Sequence, residues 1–215
     1  MRKKNPWPTK AVMEQVYEKN LWGGNKGEFY SGFGSYNSEY LIPYLDKLIS
    51  FFQSFPEPLT VCDLGCGDFN VGKHLVPYAK KYVAVDIVHD LIQRNRAMYS
   101  HKKLSFYCVD IAHAALPQAD CAIIRHVLQH VSNTEIERII KKLHQYKYVI
   151  LTEHIPKEGF IVNKDIISSQ GTRLKIKSGV DVLLPPFNLV CKEKKTLLSL
   201  TDEYGRITTD LYRLF

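Results

Sequence analysis

The sequence has no run of apolar residues approaching the length of a membrane span, and its positive start, MRKKNPWPTK, is followed by no apolar segment. A span needs about 20 mostly apolar residues, and an export leader needs a shorter apolar stretch behind its charged end. The expectation is a soluble, cytoplasmic chain. A disulfide framework is also missing. Five cysteines, an odd number in 215 residues, with no C-x-x-C pair among them, fit reduced thiols better than a stapled secreted domain. Internal repeats and low-complexity tracts are absent too, which excludes solenoids and linker-like chains.

Charge of one sign is in excess, but not in one place. With 29 Lys and Arg against 22 Asp and Glu the net charge is +7, and the pI is about 9.0, which raises the prospect of a nucleic-acid partner. A groove that tracks phosphates needs its cations gathered on one face. Here Arg2–Lys4, Lys80–Lys81, Lys102–Lys103, Lys141–Lys142 and Lys192–Lys195 are scattered. They read as solvated ends of structural elements. At 215 residues and 45% hydrophobic content the chain can bury one sizeable core with some decoration.

From Leu59 the chain alternates. LTVCDLG, KYVAVDI, LSFYCVD, ADCAIIRH and YKYVILTEH are strand-like runs; VGKHLVPYA, HDLIQRNRAMY and NTEIERIIKKLHQY repeat their apolar residues at three and four. That alternation predicts an α/β fold, a mostly parallel sheet with helices on both faces. The carboxyl end, KTLLSLTD–EYG–RITTDLYRLF, reads as a hairpin, so at least one strand there should run antiparallel. Two helical patterns precede the sheet: TKAVMEQVYEKN, with Thr9 as its cap, and NSEYLIPYLDKLISFFQSF, capped by Asn37 or Ser38. Between them LWGGNKGEFYSGFGS combines glycines with Trp22, Phe29, Tyr30 and Phe33, a composition suited to a lid. The expected division is 1–57 for the amino-terminal helices and lid and 58–215 for the α/β domain, with 155–190 as a substrate loop.

VCDLGCGDFN, residues 61–70, lies where the first strand meets the first crossover. Three readings compete for it: a cofactor cradle, a cysteine pair for a metal, or a tight turn. In open α/β sheets ligands bind at this carboxyl edge. A dinucleotide site wants G-x-G-x-x-G, but Asn70 stands at the third glycine position, and Asp68 would repel a pyrophosphate. Asp63 and Asp68 instead suit a cationic ligand, such as the amino and sulfonium groups of S-adenosylmethionine. The next two strands end in Asp86, placed for a ribose diol, and Asp110, placed for an adenine amino group. Any one of these could be a capping aspartate; the series of three is more specific. Cys62 and Cys66 have no second pair, so packing is the preferred reading for Cys62, Cys108 and Cys121.

In these residues the sequence resembles the class I S-adenosylmethionine-dependent methyltransferase superfamily, of small-molecule, Rossmann-like type, over about Leu59 to His154. The resemblance implies a seven-stranded sheet with a reversed last strand and the cofactor S-adenosyl-L-methionine. It makes Asp63, Gly65, Cys66, Gly67, Asp68, Phe69, Asp86, Ile87, Asp110, Ile111 and Arg125 cofactor contacts, with Trp22 and Tyr30 closing over them. The departure from the family pattern is at Phe69, whose bulk would narrow the site.

After the fourth strand comes RHVLQHVSN. Arg125 and His126 fall at its tip, and His126 is a candidate general base toward a substrate. His130 either acts with it or packs and caps the next helix. The His126/His130 spacing could serve a metal only with a third ligand, such as His154, and no metal is expected. Arg173 and Lys175 are candidate anion contacts, and Phe187 in LLPPFN a candidate pocket residue. The reading is a methyltransferase acting on an O or N atom of a small-molecule acceptor. An RNA or DNA methyltransferase and a catalytically silent S-adenosylmethionine-binding protein are the alternatives.

Overall fold

The computed structural model describes residues 6–215, so the Arg2–Lys4 cluster lies outside the described residues. Among the described residues there are nine strands: β1 (Thr60–Leu64), β2 (Lys81–Asp86), β3 (Leu104–Cys108), β4 (Cys121–Arg125), β5 (Tyr148–Ile155), β6 (Ile161–Val162), β7 (Ser178–Gly179), β8 (Glu193–Thr201) and β9 (Arg206–Arg213). Seven form one sheet in the order β3-β2-β1-β4-β5-β9-β8, and β6 pairs with β7. The first five of that order are parallel; β9 pairs antiparallel with both β5 and β8. The α/β class and the reversed end of the sheet follow the sequence pattern.

The strands alternate their side chains between two cores because a strand has a period of two. On one face Cys62, Leu64, Val83 and Val85 pack under α4 (Asn133–Leu143), through Ile136, Ile139, Ile140 and Leu143. On the other, Val61, Tyr82, Ala84 and Ile123 meet Tyr44, Leu48 and Phe52 of α2 (Ser38–Gln53). Each fully buried Leu or Ile contributes roughly 1.5–3 kcal/mol, so both faces are needed. The remaining helices are α1 (Thr9–Glu18) and α3 (His89–Met98). Among the described residues no helix is long and apolar enough to cross a membrane.

Caps explain where the helices start. Asn37 accepts from the Glu39 amide at 2.8 Å to open α2, and Ser132 with Glu135 forms a capping box on α4. Thr9, expected to cap α1, does not: Pro8 is the N-cap and makes no side-chain cap bond. The Thr9 hydroxyl instead donates to Glu135 at 2.5 Å, which docks α1 onto the start of α4. A second departure follows β1. The helix expected from about Asn70 is two short 3-10 turns, Gly72–His74 and Val76–Tyr78. Gly72 leads the first and Pro77 lies within the second, and neither favours a continuing α-helix.

Candidate active site

One cavity of about 750 Å³ runs along the carboxyl edge of the sheet, from the tip of β3 to the turn between β8 and β9. On the β3-β2-β1 side it is lined by Asp63, Gly65, Cys66, Gly67, Asp68, Asp86, Ile87, Asp110 and Ile111. On the β4-β5-β9-β8 side it is lined by Arg125, His126, Gln129, His130, His154 and Asp202. Trp22, Ser31, Gly34 and Tyr40 close it from the amino-terminal segment. Two expected cofactor contacts are not there. Phe69 is fully buried against Tyr82, Tyr99 and Phe106, with ring centroids 4.8–5.8 Å apart. A left-handed backbone at Phe69, φ +64, accompanies this placement in the core, away from the cavity lining. Tyr30 stacks on Tyr36 at 4.7 Å and does not line the cavity.

The loop after β1 is tied to the next strand. The amides of Gly65 and Cys66 donate to the Val85 carbonyl at 2.8 and 2.9 Å, and the Gly67 amide donates to Asp86 Oδ2 at 3.0 Å. Gly65 has φ +87, and a Cβ there would stand 2.4 Å from Val127 Cγ2, so both conformation and space require glycine. Asp86 Oδ1 accepts from the Val88 amide at 3.1 Å. A carboxylate offers about four lone-pair positions, so accepting capacity remains on Asp86. Burial raises the Asp86 pKa, opposed by its backbone N–H donors.

Asp63 is deeper. Its Oδ2 accepts from the Tyr82 hydroxyl at 2.9 Å. Burial pushes its pKa up to about 7, the Tyr82 bond pulling the other way. Asp110 is largely occupied: Oδ1 accepts from the amides of Ala112 and His113, and Oδ2 meets His113 Nδ1 at 2.9 Å. It therefore does the capping work any lone aspartate could do, with lone-pair capacity left on Oδ2.

Asp68 holds the lid. It accepts from the Ser31 amide at 2.8 Å and the Tyr36 hydroxyl at 2.9 Å, while its own amide donates to Ser31 Oγ at 2.8 Å. Arg125 holds it from the other side, donating to the Gly34 carbonyl at 2.6 Å and Ser35 Oγ at 3.2 Å, over the Tyr44 ring at 5.0 Å. Trp22 donates through Nε1 to the Gln170 carbonyl at 3.1 Å, linking the lid to the 155–190 segment.

His126 has a left-handed backbone, φ +56, uncommon outside glycine, and its backbone N–H donates a hydrogen bond to the Thr152 carbonyl at 2.8 Å. Nδ1 of its ring is buried without a partner. Burial first, then Arg125, His154 and His130, hold its pKa well below the ordinary imidazole value. His130 is spoken for: Nδ1 meets the Gly171 carbonyl at 3.0 Å, Nε2 meets Gln129 Nε2 at 3.2 Å, and burial drives its pKa to about 4. Among the described residues no group of three or more His, Cys, Asp and Glu could hold a metal.

Four other side chains lie elsewhere than expected. Arg173 is fully buried and donates to the carbonyls of Lys164 and Val131, so it is a brace inside the loop and not an anion contact. Lys175 is exposed, outside the cavity lining. Phe187, beside the cis Pro185–Pro186 bond, is buried in the core under α4. Cys108, expected inside, is exposed, because it ends β3 at the sheet edge. Sequence reasoning missed Ser31, Gln129, Asp202 and Glu203; the acidic turn TDEYG was the available signal for the last two.

Eight carboxylates line the cavity against a single guanidinium, Arg125, and no lysine among the described residues, although the chain as a whole carries +7. A cationic occupant fits that donor set; a polyphosphate does not.

Residues 61–146 match the family model described as a methyltransferase domain. No curated protein sequence matches the chain. In fold, it is similar to the N-methyltransferase NodS from Bradyrhizobium japonicum WM9, solved with S-adenosyl-L-homocysteine: TM-score 0.64, 12% identity, 94% of this chain and 98% of that one covered. It is similar to magnesium protoporphyrin IX methyltransferase from Synechocystis PCC 6803, solved with bound SAM: TM-score 0.59, 14% identity, 98% and 100% covered. Human N-acetylserotonin methyltransferase is similar at TM-score 0.55 and 16% identity over 79% of this chain, which spans 51% of that longer one.

Proposed function

We propose that the protein, whose residues 61–146 match a methyltransferase-domain family model, is an S-adenosyl-L-methionine-dependent methyltransferase acting on an O or N atom of a small molecule. The observation that carries this reading is the acidic cavity at the carboxyl edge of a basic protein. Bound there, S-adenosylmethionine supplies an activated methyl group on a sulfonium. Asp63 and Asp68 would meet its positive end, Asp86 would accept from the ribose hydroxyls, and Ile87 and Ile111 would flank the base. Gly65 and Gly67 keep the backbone low enough to allow that approach.

The protein's contribution to the transfer is position and exclusion of water. Asp68 and Arg125 hold the lid shut over the site, and His130 with Trp22 holds the 155–190 segment. The Arg125 guanidinium and the His130 ring therefore act as positioning groups. His126 presents a neutral imidazole to the reacting centre. The proposed division is a cap at 1–57 over the catalytic domain at 58–215. An RNA or DNA acceptor is disfavoured, since its phosphates would enter past carboxylates.

The test is release of S-adenosylhomocysteine across a panel of small hydroxyl and amine acceptors, with RNA and DNA included. Turnover on a small acceptor supports the reading; turnover confined to nucleic acid overturns it.

A further inference from the structure

The acceptor half of the cavity contains an amide whose orientation is set by its neighbours. Gln129 Nε2 lies 3.5 Å from the His126 carbonyl and 3.2 Å from His130 Nε2. A carbonyl only accepts. His130 Nδ1 faces another carbonyl, Gly171, at 3.0 Å, so Nδ1 carries the proton and Nε2 of the neutral ring accepts. Both neighbours of Gln129 Nε2 are acceptors, which assigns it as the nitrogen. Gln129 Oε1 is then left buried with no partner, on a side chain more than nine-tenths buried that lines the cavity. A buried acceptor without a donor costs about 1–3 kcal/mol, and what relieves it must bring an N–H or O–H.

The mouth of the same half narrows the choice. Glu39, Asp202 and Glu203 line it beside Tyr40 and Tyr204. All three carboxylates lie close enough to Tyr40 to raise its pKa, behind the effect of desolvation. Aromatic faces beside carboxylates favour a cation. Among the described residues no lysine or free guanidinium lines the cavity to oppose them, because Arg125 is bound to the lid.

We propose that the methyl acceptor is an amine, entering as an ammonium past Glu39, Asp202 and Glu203 and donating an N–H to Gln129 Oε1. This rests on the methyltransferase reading and refines it from O or N to N. His154 lines the same cavity, and the proposal assigns it the proton that must leave. Its Nε2 meets Asp202 Oδ1 at 3.2 Å, and Asp202 Oδ1 is itself fixed by the amides of Tyr204 and Gly205 at 2.9 and 2.7 Å. With Nε2 donating to a carboxylate, the lone pair of His154 is on Nδ1. The ammonium gives one proton to Nδ1; the freed nitrogen pair forms the N–C bond as the S–C bond breaks with its pair going to sulfur. The products are a methylammonium, S-adenosylhomocysteine and one proton passed to water.

The experiment uses the protein saturated with S-adenosylhomocysteine and three matched pairs of probes: benzylamine and benzyl alcohol, phenethylamine and 2-phenylethanol, tryptamine and tryptophol. Affinities are read by ligand-observed NMR. The expected result is that in at least one pair the amine binds ten or more times tighter than its alcohol. Both Glu203→Gln, on an exposed side chain, and Gln129→Met should cut that amine affinity at least fivefold without changing S-adenosylhomocysteine affinity in calorimetry. Alcohols binding as well as amines in every pair, or amine affinity indifferent to both substitutions, overturns the proposal. Failure of S-adenosylhomocysteine to bind at all is a separate result, and it overturns the reading beneath.

Discussion

The Gly67 amide donates to the Asp86 carboxylate at 3.0 Å, so the loop after β1 and the tip of β2 are one unit. In the proposed function, cofactor contact and loop geometry share one side chain. Asp86→Ala removes both the ribose acceptor and this tie. Calorimetry should show S-adenosylmethionine binding weakened by more than tenfold, and unchanged affinity would remove Asp86 from the site.

Gly65 tests the geometry of the same loop. With φ +87 and a Cβ position 2.4 Å from Val127 Cγ2, Gly65→Ala combines a left-handed non-glycine residue with a clash. Backbone strain of this kind costs about 1–3 kcal/mol. A thermal melt should show Tm lowered by at least ~3 °C; an unchanged melt would mean the loop relaxes freely.

Asp68 reports on the lid. Its carboxylate holds the Ser31 amide and the Tyr36 hydroxyl, charge-assisted bonds worth roughly 1.5–3 kcal/mol. In Asp68→Ala, trypsin should cut at Lys26, in the exposed part of the lid, at least several times faster than in the parent protein. Equal cleavage rates would show that Arg125 alone suffices.

The segment between α1 and α2 stood out as glycines among aromatics, but its partners did not. Nothing in local sequence says that Ser31 meets Asp68, 37 residues away, or that Arg125 reaches Gly34. The strands of the sheet were readable because β-branched runs alternate with helical periods, and Asp86 and Asp63 because a strand tip is a fixed place in such a fold. Phe69 misled because pattern alone cannot tell which way a side chain leaves a left-handed residue. Arg173 misled for a related reason. A cation in a polar loop looks exposed until the carbonyls of Lys164 and Val131 are seen around it.

Stability should fall as pH rises above neutrality. Burial lifts Glu153 to about 8 and Asp63 to about 7, far above the ordinary carboxylate range near 4. Between those limits the folded state holds protons the unfolded state has lost, so raising the pH disfavours folding. His130, held to about 4, has the opposite sign and acts only below about 6.5. Tm should therefore decline from pH 6.5 to 9, and Glu153→Gln should flatten the upper part of that decline. A parent curve that is level over this range would contradict the burial of these acids.

Asp63 also couples ligand to pH. A cation beside it favours the ionised form, so S-adenosylmethionine affinity should rise from pH 6 to 8, and Asp63→Asn should abolish the rise. An identical pH profile in the variant would place the cation elsewhere.

The central claim is that this acidic cavity at the carboxyl edge holds a cationic nucleoside and not a polyphosphate. Calorimetric titration of the parent protein with S-adenosylmethionine, then with ATP in competition, tests it most directly. The account predicts one S-adenosylmethionine site per chain that ATP does not displace. Binding of ATP at that site, or no binding of S-adenosylmethionine, would contradict it.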